Sequence, residues 1–560
     1  MPIKFTKLTL ITLATIYFSS CASSVKDIKE DNGSSHIKEI SFEELSIPKT
    51  KQEKISLRIS PSAKVTYDNG DVKSFPLSYQ VVFRPGDMID GKAIGTLFNQ
   101  KGEPLKDENG KPDINNSTDG ESIIEKNGNF YLYNHFETYP GAIYITNLEK
   151  QPNGQLKPVK TMNADFSDVG GTMINCASSV TPWNTHLSSE EDYYFDGTKF
   201  DNKTQKYVSD HINLCKIDSA NKITDTKKYF CHVTKQIREK YLSDPNSFTP
   251  YNYGYIVEVN EKGKVKNGLK HFVMGKGSPE MAFILPDRKT AYITDDGDYR
   301  GFYLFVADKA DDLSAGTLYM AGWEQTSAEN DGTANLKWIK LGHGTNSQVK
   351  NIIDRKPYFT DIFDVNDSET CNGEGFKMVK AGDPDPMCIR VKDGTNGSLI
   401  NTNIFKSSEE VRMAAAFLET RKYGVYLGAT AEFRKEEGVT YDPDRNAIYL
   451  AMSEINKSME DNYKKNEPQN HVRLPLNACG TVYKVDLGNG KDVGGEKISS
   501  KYVGKTMSAL VSGKPIKTGD QGSDENYCHP NYIANPDNIN YIAKDILMIA
   551  EDTHGHPNAN

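Results

Sequence analysis

Apolar residues along most of this chain come in short alternating runs, not at helical spacing. LSYQVVF, GNFYLYNHF, GAIYITNL, YGYIVEVN, GFYLFVAD and GTVYKVDL are each bounded by Gly, Asp, Asn or Pro. Period-two runs with such boundaries predict β-strands joined by tight turns. Helix is sparse. The clearest case is SEEVRMAAAFLETRK, residues 408–422, with Ser408 placed to cap it, acidic residues in the first turn and basic ones in the last.

The strands carry a weak internal repeat. FILPDRKTAYITDDGD begins at Phe283, VTYDPDRNAIYLAMSEI at Val439 and INYIAKDILMIAEDTHG at Ile539. Each reads as a strand, a polar turn, a second strand and then acidic residues. VTPWNTHLSSEED ends in the same way. Radially repeated hairpins suit a β-propeller, although a sandwich or two β domains fit the pattern as well. The repeat has a chemical consequence. Its second strands end in Glu190 and Glu191, Asp295 and Asp296, Glu454, and Glu551 and Asp552. If equivalent ends face one axis, these carboxylates converge, and converging carboxylates call for cations.

Charge and composition narrow the class. The chain has 560 residues, a formal charge of -9, 30 Tyr and 23 Phe, which is too aromatic for a disordered chain. No basic stripe marks a nucleic-acid partner. At the N-terminus, Lys4 and Lys7 precede an apolar run over residues 8–18 and then Ser19-Ser20-Cys21. This predicts a signal peptide over residues 1–21, with Cys21 in a lipobox-like position, and it is too short to span a membrane. The expected location is periplasmic, outer-membrane or cell-surface lipoprotein, or secreted. Residues 22–55 are polar and predict a tether to a main domain over 56–560. Of the eight cysteines, six fall into local pairs, Cys215 with Cys231, Cys371 with Cys388 and Cys479 with Cys528. Such bridges suit an oxidising compartment. Cys176 has no obvious partner.

Four stretches carry the candidate chemistry. They are NCASSVTPWNTHLSSEE, VMGKGSPEMAFILPDRKTAYITDDGD, EFRKEEGVTYDPDRNAIYLAMSE and NPDNINYIAKDILMIAEDTHGHPN, together spanning residues 175–558. In this order they resemble the PhoX-type alkaline phosphatases. The resemblance implies an all-β, six-bladed β-propeller with insertions that hydrolyses phosphomonoesters at a centre of Fe3+ and Ca2+. Carried over residue by residue, Cys176, Glu190, Glu191, Glu280, Glu437 and Asp537 are the expected metal ligands. Hard carboxylate oxygens suit calcium and ferric iron, and a thiolate selects the transition metal. Lys435 or Arg434 is the expected phosphate-binding cation. The family pattern places its arginine at position 435, and a one-residue slip on a strand flips the side chain to the other face.

The sequence departs from that pattern in three places. Ser278-Pro279 stands where a histidine often precedes the acid, the signal lacks a twin-arginine motif, and the chain reaches residue 560 one acidic strand into its last repeat. The expected final blade is therefore incomplete at the C-terminus. Asp442, Asp444 and Asn446 read as a plain turn, not an EF-hand loop. His186 is expected to face solvent, and His554 and His556 either to bind metal or to lie in a frayed end. The expected protein is a monomer that meets membrane only through a lipid anchor. A calcium-binding propeller without turnover, or a metal-dependent esterase or lactonase on the same fold, are the competing readings.

Overall fold

The computed structural model describes residues 36–46, 50–54, 56–107, 109–191, 200–201, 206–207, 250–366, 370–382, 386–517, 519 and 527–552. It is built mostly of antiparallel strands. Strands β1 (Thr118–Lys126), β2 (Asn129–Phe136), β3 (Ala142–Lys150) and β4 (Leu156–Asn163) form one meander. Strands β5 (Asn175–Val180), β6 (His186–Glu190) and β7 (Ile256–Val259) form a second sheet. Nine strands then join in one sheet. The meander β8 (Pro279–Ile284), β9 (Thr290–Asp295), β10 (Tyr303–Lys309) and β11 (Asp312–Ser327) leads to β12 (Thr333–Thr345). There β12 meets β16 (Val503–Ser512), the outer strand of a meander formed with β13 (Glu436–Asp442), β14 (Ala447–Met452) and β15 (Thr481–Gly488). A last hairpin, β17 (Pro536–Ala543) and β18 (Ile546–Glu551), packs on β13 and β14.

Five hairpins repeat one irregularity. The terminal pairs are Thr118 with Phe136, Asn175 with Glu190, Pro279 with Asp295, Glu436 with Met452 and Pro536 with Glu551. In each hairpin the register then slips, so that one extra residue bulges on the first strand. Just past each second strand one N–H closes the hairpin mouth. Those of Glu137, Glu191, Asp296, Ser453 and Asp552 donate to the carbonyls of Ser117, Ile174, Ser278, Lys435 and Asn535, all at 2.9 to 3.0 Å. Each of the first four hairpins packs its first strand on that of the next.

Aromatic and aliphatic side chains hold the hairpins from outside. Trp338, Tyr292, Phe302 and Tyr483 lie in one cluster across the nine-stranded sheet, where Tyr292 also donates to the Tyr502 carbonyl at 2.7 Å. Helices α1 (Asn346–Ile353), α2 (Ser408–Leu418) and α3 (Thr420–Leu427) cover another face through Val349, Ala414, Phe417 and Tyr423. The cap of α2 is Ser407, one residue before the expected Ser408, and its hydroxyl accepts from the Glu410 N–H. The helix also breaks at Glu419, whose φ of -129° and ψ of 44° are non-helical. Arg421 is therefore not a dipole-matching last-turn base but a buried fork on Asp295, at 2.6 and 2.8 Å.

Residues 37–42, expected as tether, are a strand pairing with Ser62–Tyr67, because Ile37, Ile40 and Phe42 supply apolar positions to a small sheet. The bridges Cys371–Cys388 and Cys479–Cys528 are present, while Cys21, Cys215, Cys231, His554 and His556 lie outside the described residues. Asp442 caps its own turn, its Oδ1 accepting from the N–H groups of Asp444 and Arg445 at 2.8 and 3.0 Å, as a plain turn requires.

The fifth hairpin docks where β13 has no side chain. A Cβ on Gly438 would lie 2.9 Å from the Asp537 carbonyl and 3.0 Å from the Ile539 nitrogen. Gly438→Ala is therefore expected to destabilise the protein by about 1–3 kcal/mol through overpacking. A thermal-unfolding comparison checks this, and an unchanged melting temperature would show that the hairpin yields at no cost.

Candidate metal centre

The five bulges and mouths supply one cluster. Bulged residues Asp119, Cys176, Glu280, Glu437 and Asp537 stand directly after the terminal pairs, and Glu137, Glu191, Asp296, Ser453 and Asp552 directly follow the second strands. Donor atoms lie within 4.8 Å of one another in three groups: Glu137, Cys176 and Glu191; Glu191, Glu280 and Asp296; Glu280, Glu437 and Asp537. Shared Glu191 and Glu280 link the groups into one chain of donors.

The electrostatics show how closely these hairpins converge. Burial, followed by Glu137, raises Asp119 to about 7. Burial, followed by Asp119 and then Asp552, raises Asp537 to about 7, so the first and fifth hairpins lie close enough to repel. Glu191, Glu280 and Glu437 are pushed well above the ordinary carboxylate range by burial and then by one another and their neighbours. Cys176 is pushed up as well, by burial first and then by Asp119 and Glu191. It is a thiol whose Sγ donates to Glu280 Oε2 at 3.2 Å. A group of acids crowded in this way ionises together only with cations present.

The residues fit metal. Glu191 Oε1 is buried with no hydrogen-bond partner. The donor set, carboxylates with one sulfur, suits hard cations together with one softer metal. Metal would hold Cys176 as thiolate despite its surroundings.

Glu190 is a correction. Neighbouring residues on a strand face opposite sides, and Glu190 faces away from the cluster. Its Oε1 takes Lys270 Nζ at 2.6 Å, Thr172 Oγ1 at 3.1 Å and the Met173 N–H at 3.2 Å. Its Oε2 accepts the N–H groups of Gly254 and Tyr255 at 3.1 and 3.3 Å. Lys270 also donates to the Asn252 carbonyl and lies 4.4 Å from the Tyr253 ring centroid. Asp295, held by Arg421, is turned aside in the same way while Asp296 enters the cluster.

The choice between the two basic residues follows the same alternation. Arg434 is engaged by Asp298 at 2.6 Å and by Glu454. Lys435 has a φ of +52° and sends its Nζ to Glu437 Oε1 at 3.0 Å. Glu437 and Asp296 hold its ammonium charged against the cost of burial. Its side chain is 28% exposed, so solvent reaches this cation. The Thr-Pro-Trp turn is structural. Trp183 Nε1 and Thr185 Oγ1 donate to Glu258 Oε1 at 2.7 and 2.6 Å. Against its burial, Glu258 is held down at about 2 by His271 and these donors.

His186 is buried, not solvent-facing, because Ser122 and His135 enclose it at 2.7 and 2.5 Å. Asp119 and Glu137 belong to a hairpin that sequence reasoning passed over. GNFYLYNHFE has the strand-then-acid ending of the other repeats, and that was the available signal.

This fold and donor set describe a mostly β protein whose crowded acids, with Lys435 beside them, fit metal. A family model described as alkaline phosphatase PhoX matches residues 144–559, and the chain belongs to that family. Among solved structures it is similar to Pseudomonas fluorescens PhoX in complex with vanadate, a transition state analogue, at 15% sequence identity and a TM-score of 0.49, over 84% of this chain and 80% of that one. Comparison with curated proteins gave no match.

The two glutamates should separate cleanly on mutation. Glu190→Ala removes the buried carboxylate that pairs with the buried Lys270 and is expected to cost about 3–5 kcal/mol of stability. Glu191→Ala is expected to lower metal content with little loss of stability in the metal-free protein. Melting temperatures with and without chelator, beside metal analysis, check the pair. Equal behaviour would contradict the assigned faces.

Proposed function

We propose that the protein is a metal-dependent phosphomonoesterase, secreted or lipid-anchored, with broad tolerance for the alcohol half of its substrate. The carrying observation is the Lys435 ammonium turned toward a cluster of crowded carboxylates in a chain of the alkaline phosphatase PhoX family. Cys176, Glu191, Glu280, Glu437 and Asp537 would hold the metals, iron beside the thiolate and calcium among the oxygens, with Asp119, Glu137 and Asp296 completing the set. When bound, the metals would polarise phosphoryl oxygens and neutralise charge in the transition state.

The chain's own residues do the rest. Lys435 binds a phosphate oxygen and orients the ester. Its backbone supports that aim, because its N–H donates to the Gly297 carbonyl at 3.1 Å and its carbonyl accepts from Ser453 at 3.0 Å. Arg434 holds the strand edge through Asp298 and Glu454. Recognition centred on phosphate accounts for the breadth of substrate.

The five hairpins are read as inner strands of successive propeller blades, as the six-bladed expectation requires; their shared bulges and sequential packing support this. Two disulfides support passage through an oxidising compartment. Among the described residues no helix is long and apolar enough to cross a membrane. A calcium-binding protein without turnover could use the same carboxylates, but it has no need of the buried Cys176 thiol or of Lys435.

Cys176→Ala is expected to lose iron and p-nitrophenyl phosphate hydrolysis together. Lys435→Ala is expected to keep its metals and lose about 10²–10³ in kcat/KM, the effect of removing one charge-stabilising donor. Calcium without iron in the wild type, and no hydrolysis, would overturn the reading.

A further inference from the structure

A bulge that aims a ligand inward also takes its residue out of the ladder, and a backbone carbonyl left unpaired inside a protein needs another donor. At the first two seams the donor comes from the preceding hairpin. His135, one residue before the end of β2, sends Nδ1 to the carbonyl of Cys176 at 2.5 Å. Ser189, at the same position in β6, sends Oγ to the carbonyl of Glu280 at 2.5 Å, nearer than the Ala177 carbonyl of its own hairpin at 3.0 Å. At the fourth-to-fifth seam the equivalent residue is Ala451, which has no donor. There Ser453 reaches the Pro536 carbonyl at 2.9 Å and Glu437 Oε1 at 3.0 Å. The third hairpin's Thr294 turns instead to Met281 of its own hairpin, at 3.5 Å.

The first seam is the most fully built. A carbonyl only accepts, so His135 carries its proton on Nδ1. Its Nε2 then accepts from His186 Nε2 at 2.5 Å, and His186 Nδ1 accepts from Ser122 Oγ at 2.7 Å. Tyr133 stacks on His186 with ring centroids 4.5 Å apart. All four side chains are buried or nearly so, and both hairpins contribute to the chain. The approach is close: a Cβ on Gly120 would lie 2.4 Å from the Cys176 carbonyl.

We propose that His135 and Ser189 are positioning residues for the metal centre. Each pins the backbone of a ligand in the next hairpin, so the spacing between Cys176 and Glu280 is set by hairpin-to-hairpin hydrogen bonds. Neither side chain is a ligand. The proposal rests on the metal centre described under Proposed function.

Calcium affinity by calorimetry and iron content after reconstitution test it, with circular dichroism and melting temperature of the metal-free proteins measured alongside. His135→Leu removes the donor. His135→Asn keeps an amide N–H near the Nδ1 position. Ser189→Ala is a one-atom deletion that leaves the fold least disturbed. His135→Leu and Ser189→Ala are each expected to weaken calcium binding about 10–100-fold, the usual scale for partners behind a metal ligand, with His135→Asn restoring most of it. If His135→Leu does not fold, Ser189→Ala alone decides. Wild-type affinity in Ser189→Ala, or in a folded His135→Leu, would overturn the proposal, as would His135→Asn being no better than a folded His135→Leu. Wild-type protein that takes up no metal would overturn the phosphatase reading itself, a distinct result from variants that match a metal-binding wild type.

Discussion

Repulsion among buried carboxylates is the constraint on which this structure turns. Asp119, Glu137, Glu191, Glu280, Asp296, Glu437 and Asp537 come, with Cys176, from five hairpins, and Lys435 answers them through Glu437. Left ionised they would drive the hairpins apart. The fold holds them through pairings made elsewhere: aromatic packing across the nine-stranded sheet, the Glu190–Lys270 and Asp295–Arg421 pairs, and the five mouth hydrogen bonds. The same strand alternation that hides Glu190 presents Glu191. Structural ion pairs and chemical ligands are therefore interleaved one residue apart.

Much of this organisation is legible in the sequence. The strand-turn-strand-acid repeat gives the β class and four of the five hairpins, because alternation and Pro-Asp turns are local signals. The first hairpin is hidden because NNSTDGES, around Asp119, has the composition of a loop. Which of two adjacent carboxylates faces the cluster is not legible either, since it depends on a bulge, and the bulge depends on the neighbouring strand. Glu190 was misplaced for that reason and the choice between Arg434 and Lys435 stayed open, while Glu191 and Lys435, one residue along, face the cluster. His186 looks like a surface turn residue until Ser122 and His135, distant in sequence, close over it. The family resemblance carried Cys176, Glu280, Glu437 and Asp537 to positions that the structure brings together, and residue spacing alone would not have done so.

The chemistry follows from the same constraint. On the proposed function, cations bound among these carboxylates would face a doubly charged phosphate. On the same proposal, Lys435, part-exposed beside the cluster, would orient the ester. The backbone supports that lysine in a left-handed conformation that an ordinary residue adopts at some cost. On that reading the carboxylates act at two levels, in folding and in catalysis, and metal uptake couples the two.

That coupling has a sign that can be measured. Asp119 and Asp537 ionise near 3.8 in a model chain and at about 7 in the metal-free fold. The folded state therefore holds protons that the unfolded chain has released, and stability of the metal-free protein falls as pH rises through that window. Metal must displace the same protons. The most direct measurement is calorimetric titration of metal-free protein with calcium at mildly acidic pH, in two buffers of different ionisation enthalpy. This account predicts heats that differ between the buffers and report net proton release on binding. Heats independent of buffer, with calcium bound, would mean that the carboxylates are already ionised without metal, and would contradict it.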